Sequence, residues 1–162
     1  MASQKDIANR IPITGALMLA TLMNTLDSTI ANVALPHMQG SVSASADQII
    51  WVLTSYIVAA AIMTPLSGWL SQKIGRKTMF LASIAGFTLA SILCGMATNL
   101  PEIVIFRLFQ GIAGASLMPL SQTVMLDIYP QRLIPRVMSI WSAAVILGPI
   151  IGPTLGGWLT EQ

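Results

Sequence analysis

Charge is scarce in this chain. Only 9% of its 162 residues are Asp, Glu, Lys or Arg, where an ordinary soluble domain has about 25%. With 54% hydrophobic residues, this excludes a soluble globular domain and points to an all-α integral membrane protein. Cysteine is nearly absent too. Cys94 stands alone, so neither an intrachain disulfide nor a metal-ligand spacing can form, and it is expected to pack as a small apolar residue. The single histidine, His37, falls in a short loop and is expected to be solvated. There is no Ser/His/Asp set, no phosphate-cradling loop and no cluster of metal ligands, which makes an enzyme the weakest reading. The pI is near 9, but a net charge of +2 is spread through short loops without interleaved aromatics. A nucleic-acid partner is therefore not expected. Low-complexity tracts, linkers and solenoid repeats are missing as well.

What the chain does have is long apolar runs. Five read as membrane spans, at about 13–35, 49–70, 78–100, 103–125 and 137–160, after a short cytoplasmic segment, 1–12. Pro12 and Pro36 are expected to bound the first. That run is too long and too polar inside for a cleaved signal peptide, and reads as a retained span. Residues 13–162 then form a partial transmembrane bundle whose partner is the lipid bilayer. Five is an odd count for a bundle, and the chain reads as part of a longer protein.

Loop charges orient the spans. Lys5 and Arg10, then Lys73, Arg76 and Lys77, then Arg132 and Arg136 fall on one side; His37, Asp47, Glu102 and Glu161 fall on the other. The positive-inside rule makes the amino terminus cytoplasmic. Trp51 and Trp158 at outer ends, with Trp69 and Trp141 at inner ends, read as an aromatic belt with the same topology. The inner loops, 71–77 and 127–136, leave no room for a soluble catalytic domain.

Two spans carry one formal charge each. Arg107 lies in the fourth, where a guanidinium costs roughly 2.5–3.5 kcal/mol and persists only if protein or water receives it. Gln110, Gly111, Gly114, Ser121 and Gln122 continue its helical face as a polar, small-residue stripe. Snorkelling to the outer headgroups is the alternative. Asp27 lies in the first span, on a face shared with Thr21, Asn24, Ser28 and Asn32. At 1.5 Å per residue, Asp27 sits roughly 12 Å and Arg107 roughly 6 Å below the outer end, a mismatch within an arginine's reach. A pair, direct or through water, would offset part of each group's desolvation. It fits either a proton site coupled to a moving helix or a static lock between two helices.

The last span contains VILGPIIGPTLGGWL. Gly148, Gly152 and Gly156 recur every four residues beside Gly157, a ridge that lets a second backbone approach closely. Pro149 and Pro153 bend such a helix, so a hinge or packing seam fits better than plain helix contact. Between the second and third spans, Gly68 to Lys77 turns the chain back, with Gly75 suited to the turn and Lys73, Arg76 and Lys77 at least setting topology. Met118 and Met125, on the Arg107 side, suit a pocket for varied apolar ligands.

Together these motifs resemble the major facilitator superfamily. Gly68 to Lys77 looks like its inner loop, G-x-x-x-D-R-x-G-R-R, except that Gln72 replaces the usual aspartate and Lys73 the arginine. Arg107, Gln110, Gly111 and Gly114 match R-x-x-Q-G-x-x-G. Gly148, Gly152, Pro153, Gly156 and Gly157 match G-x-x-x-G-P-x-x-G-G, a mark of antiporters in that superfamily. Leu26 to Pro36, LDSTIANVALP, is similar to the first-helix motif of the fourteen-helix drug:proton antiporter branch, the EmrB-type multidrug exporters. The resemblance implies five helices of an incomplete amino-terminal six-helix bundle in the inner or plasma membrane. It further implies a drug-like substrate bound near the bilayer midplane between two bundles, the remaining helices of the same protein as partners, no cofactor, and the proton as coupling ion. Asp27 and Arg107 would be the proton-coupling pair; Asn24, Ser28, Asn32, Gln110, Gly111 and Gly114 would form the polar cavity face. Gln72 puts the inner loop's charge relay in question. A symporter or uniporter of a sugar or organic acid, and a non-transporting membrane fragment, are the competing readings.

Overall fold

The computed structural model describes residues 4–42 and 44–160; Glu161, placed outside by its charge, and the first three residues of the 1–12 segment lie outside the described residues. Among the described residues, six α-helices follow one another: α1 (Gln4–Ser41), α2 (Ala46–Ile74), α3 (Arg76–Met96), α4 (Leu100–Gly114), α5 (Leu117–Ile128) and α6 (Ile134–Thr160). A single 3₁₀ turn, Gln131–Leu133, precedes α6, and there is no β-strand among the described residues.

Local chemistry sets most of the ends. Ser45 caps α2 through a capping box, its hydroxyl accepting from the Gln48 amide while the Gln48 side chain accepts from the Ser45 N–H. Asn99 caps α4 by accepting from the Glu102 amide at 3.0 Å, with Pro101 in the first turn where a missing N–H is harmless. Gly75 alone separates α2 from α3. Its φ of 89° is open to glycine and strained for other residues.

Several boundaries differ from the sequence reading: α2 runs past both ends of 49–70, α3 ends at Met96 rather than residue 100, and proline accounts for others. Pro12 and Pro36 do not bound the first span, because α1 runs through both. Each removes only one i to i−4 bond, that to the carbonyl of Ala8 or Asn32, and Asn32 is exposed. The fourth span is not one rod. Pro119 cannot donate to the Ala115 carbonyl, and the helix breaks at Ala115–Ser116 into α4 and α5. The fifth span begins earlier than residue 137, at Ile134.

Judged by length and composition, four segments among the described residues can cross a membrane: Ala46–Ile74, Arg76–Met96, Leu100–Ile128 and Gln131–Trp158. The remaining rod, α1, is 38 residues long; the polar face around Asp27 lowers its mean hydropathy. The surface is that of a membrane protein. Leu19, Ile62, Leu89, Met96, Ile150 and Trp158 are exposed, whereas Thr21, Ser55, Gln110, Ser116 and Ser121 are buried.

Two rods are central, with α6 packed along α1 and both α2 and α3 packed along α4. The main apolar core joins Leu17 and Ala20 of α1 to Met79, Phe80 and Phe87 of α3 and to Leu117, Leu120 and Met125 of α5. Trp141 completes it. Read as an inner belt residue, it is instead 5% exposed and donates to the Thr21 hydroxyl at 3.3 Å. Met125 is likewise core, 1% exposed, rather than a pocket wall.

Candidate functional site

The site lies where α1 meets α4. Arg107 Nη1 donates to Asp27 Oδ2 at 2.7 Å, a direct ion pair across the helix interface. The carboxylate's other oxygen is held as well, since Gln110 Nε2 donates to Asp27 Oδ1 at 3.0 Å. Residues 107 and 110 are three apart, so one helical face of α4 presents both donors. The side chains are 10% exposed for Arg107 and 18% for Asp27. The acid is therefore the member of the pair with some access from outside.

Access differs on the two sides. Asp27 borders a cavity of about 500 Å³ between α1 and α3, whose walls include Leu22, Leu26, Phe87 and Ser91. Arg107 borders a smaller one, about 100 Å³, with Ser28, Asn32 and Tyr56. Its Nε is buried with no hydrogen-bond partner. Such a group is costly to leave unmade, and it gives the guanidinium a reason to turn if its carboxylate is neutralised.

The expected polar face separates into distinct roles. Asn24 is buried and donates to the Tyr56 hydroxyl at 3.1 Å, tying α1 to α2. Ser28 donates to the Asn24 carbonyl, and Asn32 to the Ser28 carbonyl. Gly114 lines a third cavity, about 330 Å³, with Asn24, Tyr56, Met118 and Gln122. Two residues leave the cavity list. Gln110 is fully buried, its amide consumed by internal bonds. Gly111 is a contact point: a Cβ there would collide with the Tyr56 carbonyl and lie 3.0 Å from the Ala59 Cβ, so the missing side chain lets α2 lie on α4.

Sequence reasoning missed Tyr56, Ser91 and Cys94. Ser91 Oγ accepts from Gln110 Nε2 at 2.6 Å, and Cys94 Sγ donates to Gln110 Oε1 at 3.9 Å. Cys94 is thus a polar neighbour of the site rather than a purely apolar filler. Its three-residue spacing from Ser91 was the available signal, because it puts both on one face of α3.

The glycine ridge of α6 packs on α1. A Cβ on Gly148 would strike Thr25; one on Gly152 would lie 2.6 Å from the Thr29 Cβ, and one on Gly156 3.3 Å from the Val33 Cβ. Both chains therefore step by four residues. Thr25 and Thr29 turn their hydroxyls back to the carbonyls of Leu22 and Thr25, leaving the seam apolar. Pro153 lies within the unbroken α6, and a Cβ on Gly157 would meet nothing within 4 Å. Two residues from Thr25 and Thr29, Asp27 projects to the opposite side of α1.

Around the α2–α3 turn, Gly68, Gln72, Lys73, Arg76 and Lys77 are all exposed. Arg76, the first residue of α3, pairs with Asp127 near the end of α5. The Lys73 ammonium lies over the Trp69 ring, 5.1 Å from its centroid. No group of three or more His, Cys, Asp or Glu side chains able to hold a metal occurs among the described residues.

Residues 17–162 match the family model of the Major Facilitator Superfamily. The chain belongs to that superfamily. It is 44% identical to the multidrug export protein EmrB of Escherichia coli strain K12, covering 100% of this chain and 32% of that protein. It is 43% identical to the fatty acid resistance protein FarB of Neisseria gonorrhoeae, covering 91% of this chain and 29% of that protein. The chain thus spans about a third of the length of the curated relatives it matches. Among solved structures, a bacterial homolog of the human lysosomal transporter Spinster, in an inward-facing and occupied conformation, superposes with a TM-score of 0.83 at 22% identity, over 93% of this chain and 32% of that one. That likeness speaks for the fold alone. The superfamily is one of multi-pass membrane transporters, not enzymes.

Proposed function

We propose that this chain is the amino-terminal part of a proton-driven exporter of small hydrophobic or cationic drugs in the inner membrane, with its amino terminus cytoplasmic. The observation that carries the reading is the Asp27–Arg107 pair, a partly accessible acid held by a buried base. A proton and the guanidinium compete for the same carboxylate. With the proton absent, Arg107 and Gln110 hold α1 to α4. When the proton binds, the ion pair loses its attraction and Arg107 keeps its charge in a buried place, an unfavourable state that favours rearrangement. The α1–α6 glycine seam, with Thr25, Thr29 and Val33 seated against Gly148, Gly152 and Gly156, couples any shift of α1 to α6.

Energy for uphill export comes from outside the chain. A unit charge crossing 100 mV releases about 2.3 kcal/mol. Supporting the export direction are the antiporter-type Gly/Pro run and the relatives named as multidrug export proteins. The cavity between Asn24, Tyr56, Met118 and Gln122 would supply this half's share of the drug surface, facing a second bundle near the midplane.

The test is transport by the full-length protein in vesicles with an imposed pH gradient. Dye should leave one compartment as protons move the other way. Accumulation with protons moving in the same direction, or without any proton movement, would instead make the protein a symporter or a uniporter.

A further inference from the structure

We propose that Ser91, with Cys94 one turn away, is a positioning residue that sets the pH at which Asp27 takes up its proton; this rests on the proton-coupled reading above. Gln110 is the intermediary. Its side-chain amide has two N–H groups and one oxygen, and all three are used: one N–H on Asp27 Oδ1, the other on Ser91 Oγ, and the oxygen accepting from the Cys94 thiol. The residue is fully buried, so water cannot replace any of these partners.

This arrangement fixes which way the amide faces. An ionised carboxylate only accepts, so Gln110 must turn its nitrogen toward Asp27. Ser91 takes the second N–H that this orientation would otherwise leave unsatisfied. With its N–H facing Oδ1, the amide disfavours a proton on that oxygen and directs it to Oδ2, the atom Arg107 holds. Proton binding and release of the guanidinium thereby become one event. α3 contributes to this event through Gln110, without a hydrogen bond of its own to either charge.

Other groups face Asp27 from the surrounding helices. Arg107 comes from α4 and pairs with it directly; Tyr56 of α2 stands behind Asn24, and Cys94 of α3 behind Gln110. The seam of α6, from Val145 to Gly157, carries no titratable side chain.

Removing the Ser91 hydroxyl frees one buried N–H and lets the amide rotate away from Asp27. The carboxylate loses stabilisation of its charged form, so it protonates at higher pH. In the full-length protein in vesicles, Ser91→Ala should raise the midpoint of pH-dependent export by roughly one to two units, the size of one hydrogen bond to a charged group. Ser91→Thr should restore the original midpoint. A purely structural role would lower rate or yield and leave the midpoint in place, and that result overturns the proposal. Should Ser91→Ala fail to accumulate, Cys94→Ala must shift the midpoint the same way, and an unmoved midpoint there is equally fatal. Asp27→Asn keeps the two levels apart: if it still titrates like the wild type, the proton-site reading itself fails.

Discussion

Gly152 faces Thr29 so closely that a Cβ on the glycine would lie 2.6 Å from the threonine Cβ. The same relation holds for Gly148 and Thr25 one turn away. α1 is thus fastened along one side by backbone proximity and on the other by an ion pair, and the two attachments are open to separate tests.

Gly152→Val should push α6 off α1, because Thr29 belongs to a rigid helix and cannot yield by the required distance. Overpacking of this kind costs typically about 1–3 kcal/mol. Gly95→Ala is the control, since a Cβ there meets nothing within 4 Å. Thermal unfolding in detergent should show a clear loss for the first and little change for the second.

Breaking the ion pair from one side should cost more than removing it altogether. Arg107→Ala leaves a half-buried carboxylate without its base, a loss approaching the roughly 3–5 kcal/mol of fully buried pairs. The double variant Asp27→Asn with Arg107→Gln contains no such charge. Its unfolding temperature should therefore exceed that of Arg107→Ala.

Arg76 and Asp127 join the start of α3 to the end of α5 at the surface, with exposures of 47% and 53%. A pair so placed contributes below about 1 kcal/mol and weakens with salt. Exchanging the two residues should restore whatever Arg76→Ala loses, and the deficit should shrink in high salt. A loss unaffected by salt would point to packing instead.

Pro119 breaks the fourth span, so restoring its amide should mend it. In Pro119→Ala the new N–H can bond the Ala115 carbonyl and join α4 to α5. Hydrogen exchange at residues 116–118 should slow. Unchanged exchange would mean that the break is imposed by packing around Ser83 and Ser116, whose hydroxyls are bonded to each other.

Much of this was legible in residues that are expensive in oil. Two opposite charges inside apolar runs, and glycines repeating every four residues, can be read without a structure because each has few physical outcomes. Neutral groups gave no such signal. Ser91, Tyr56 and Cys94 occur in runs that read simply as apolar helix, and only the packing of α3 and α2 on α4 shows which polar atoms meet. Prolines mislead in both directions: Pro12 and Pro36 are tolerated inside α1, while Pro119, in the middle of an apolar run, divides a span. Trp141 fits an interface rule by sequence position, but its packing against Thr21 of α1 shows only in the structure.

The most direct measurement of the central idea needs no gradient at all. Drug is added to the purified full-length protein in weak buffer, near the pH at which export is half-maximal, and the proton balance is followed. If Asp27 alternates between a proton and Arg107, wild-type protein releases protons as drug binds, and Asp27→Asn releases none. Equal release from both would place the exchanged proton elsewhere and contradict the account.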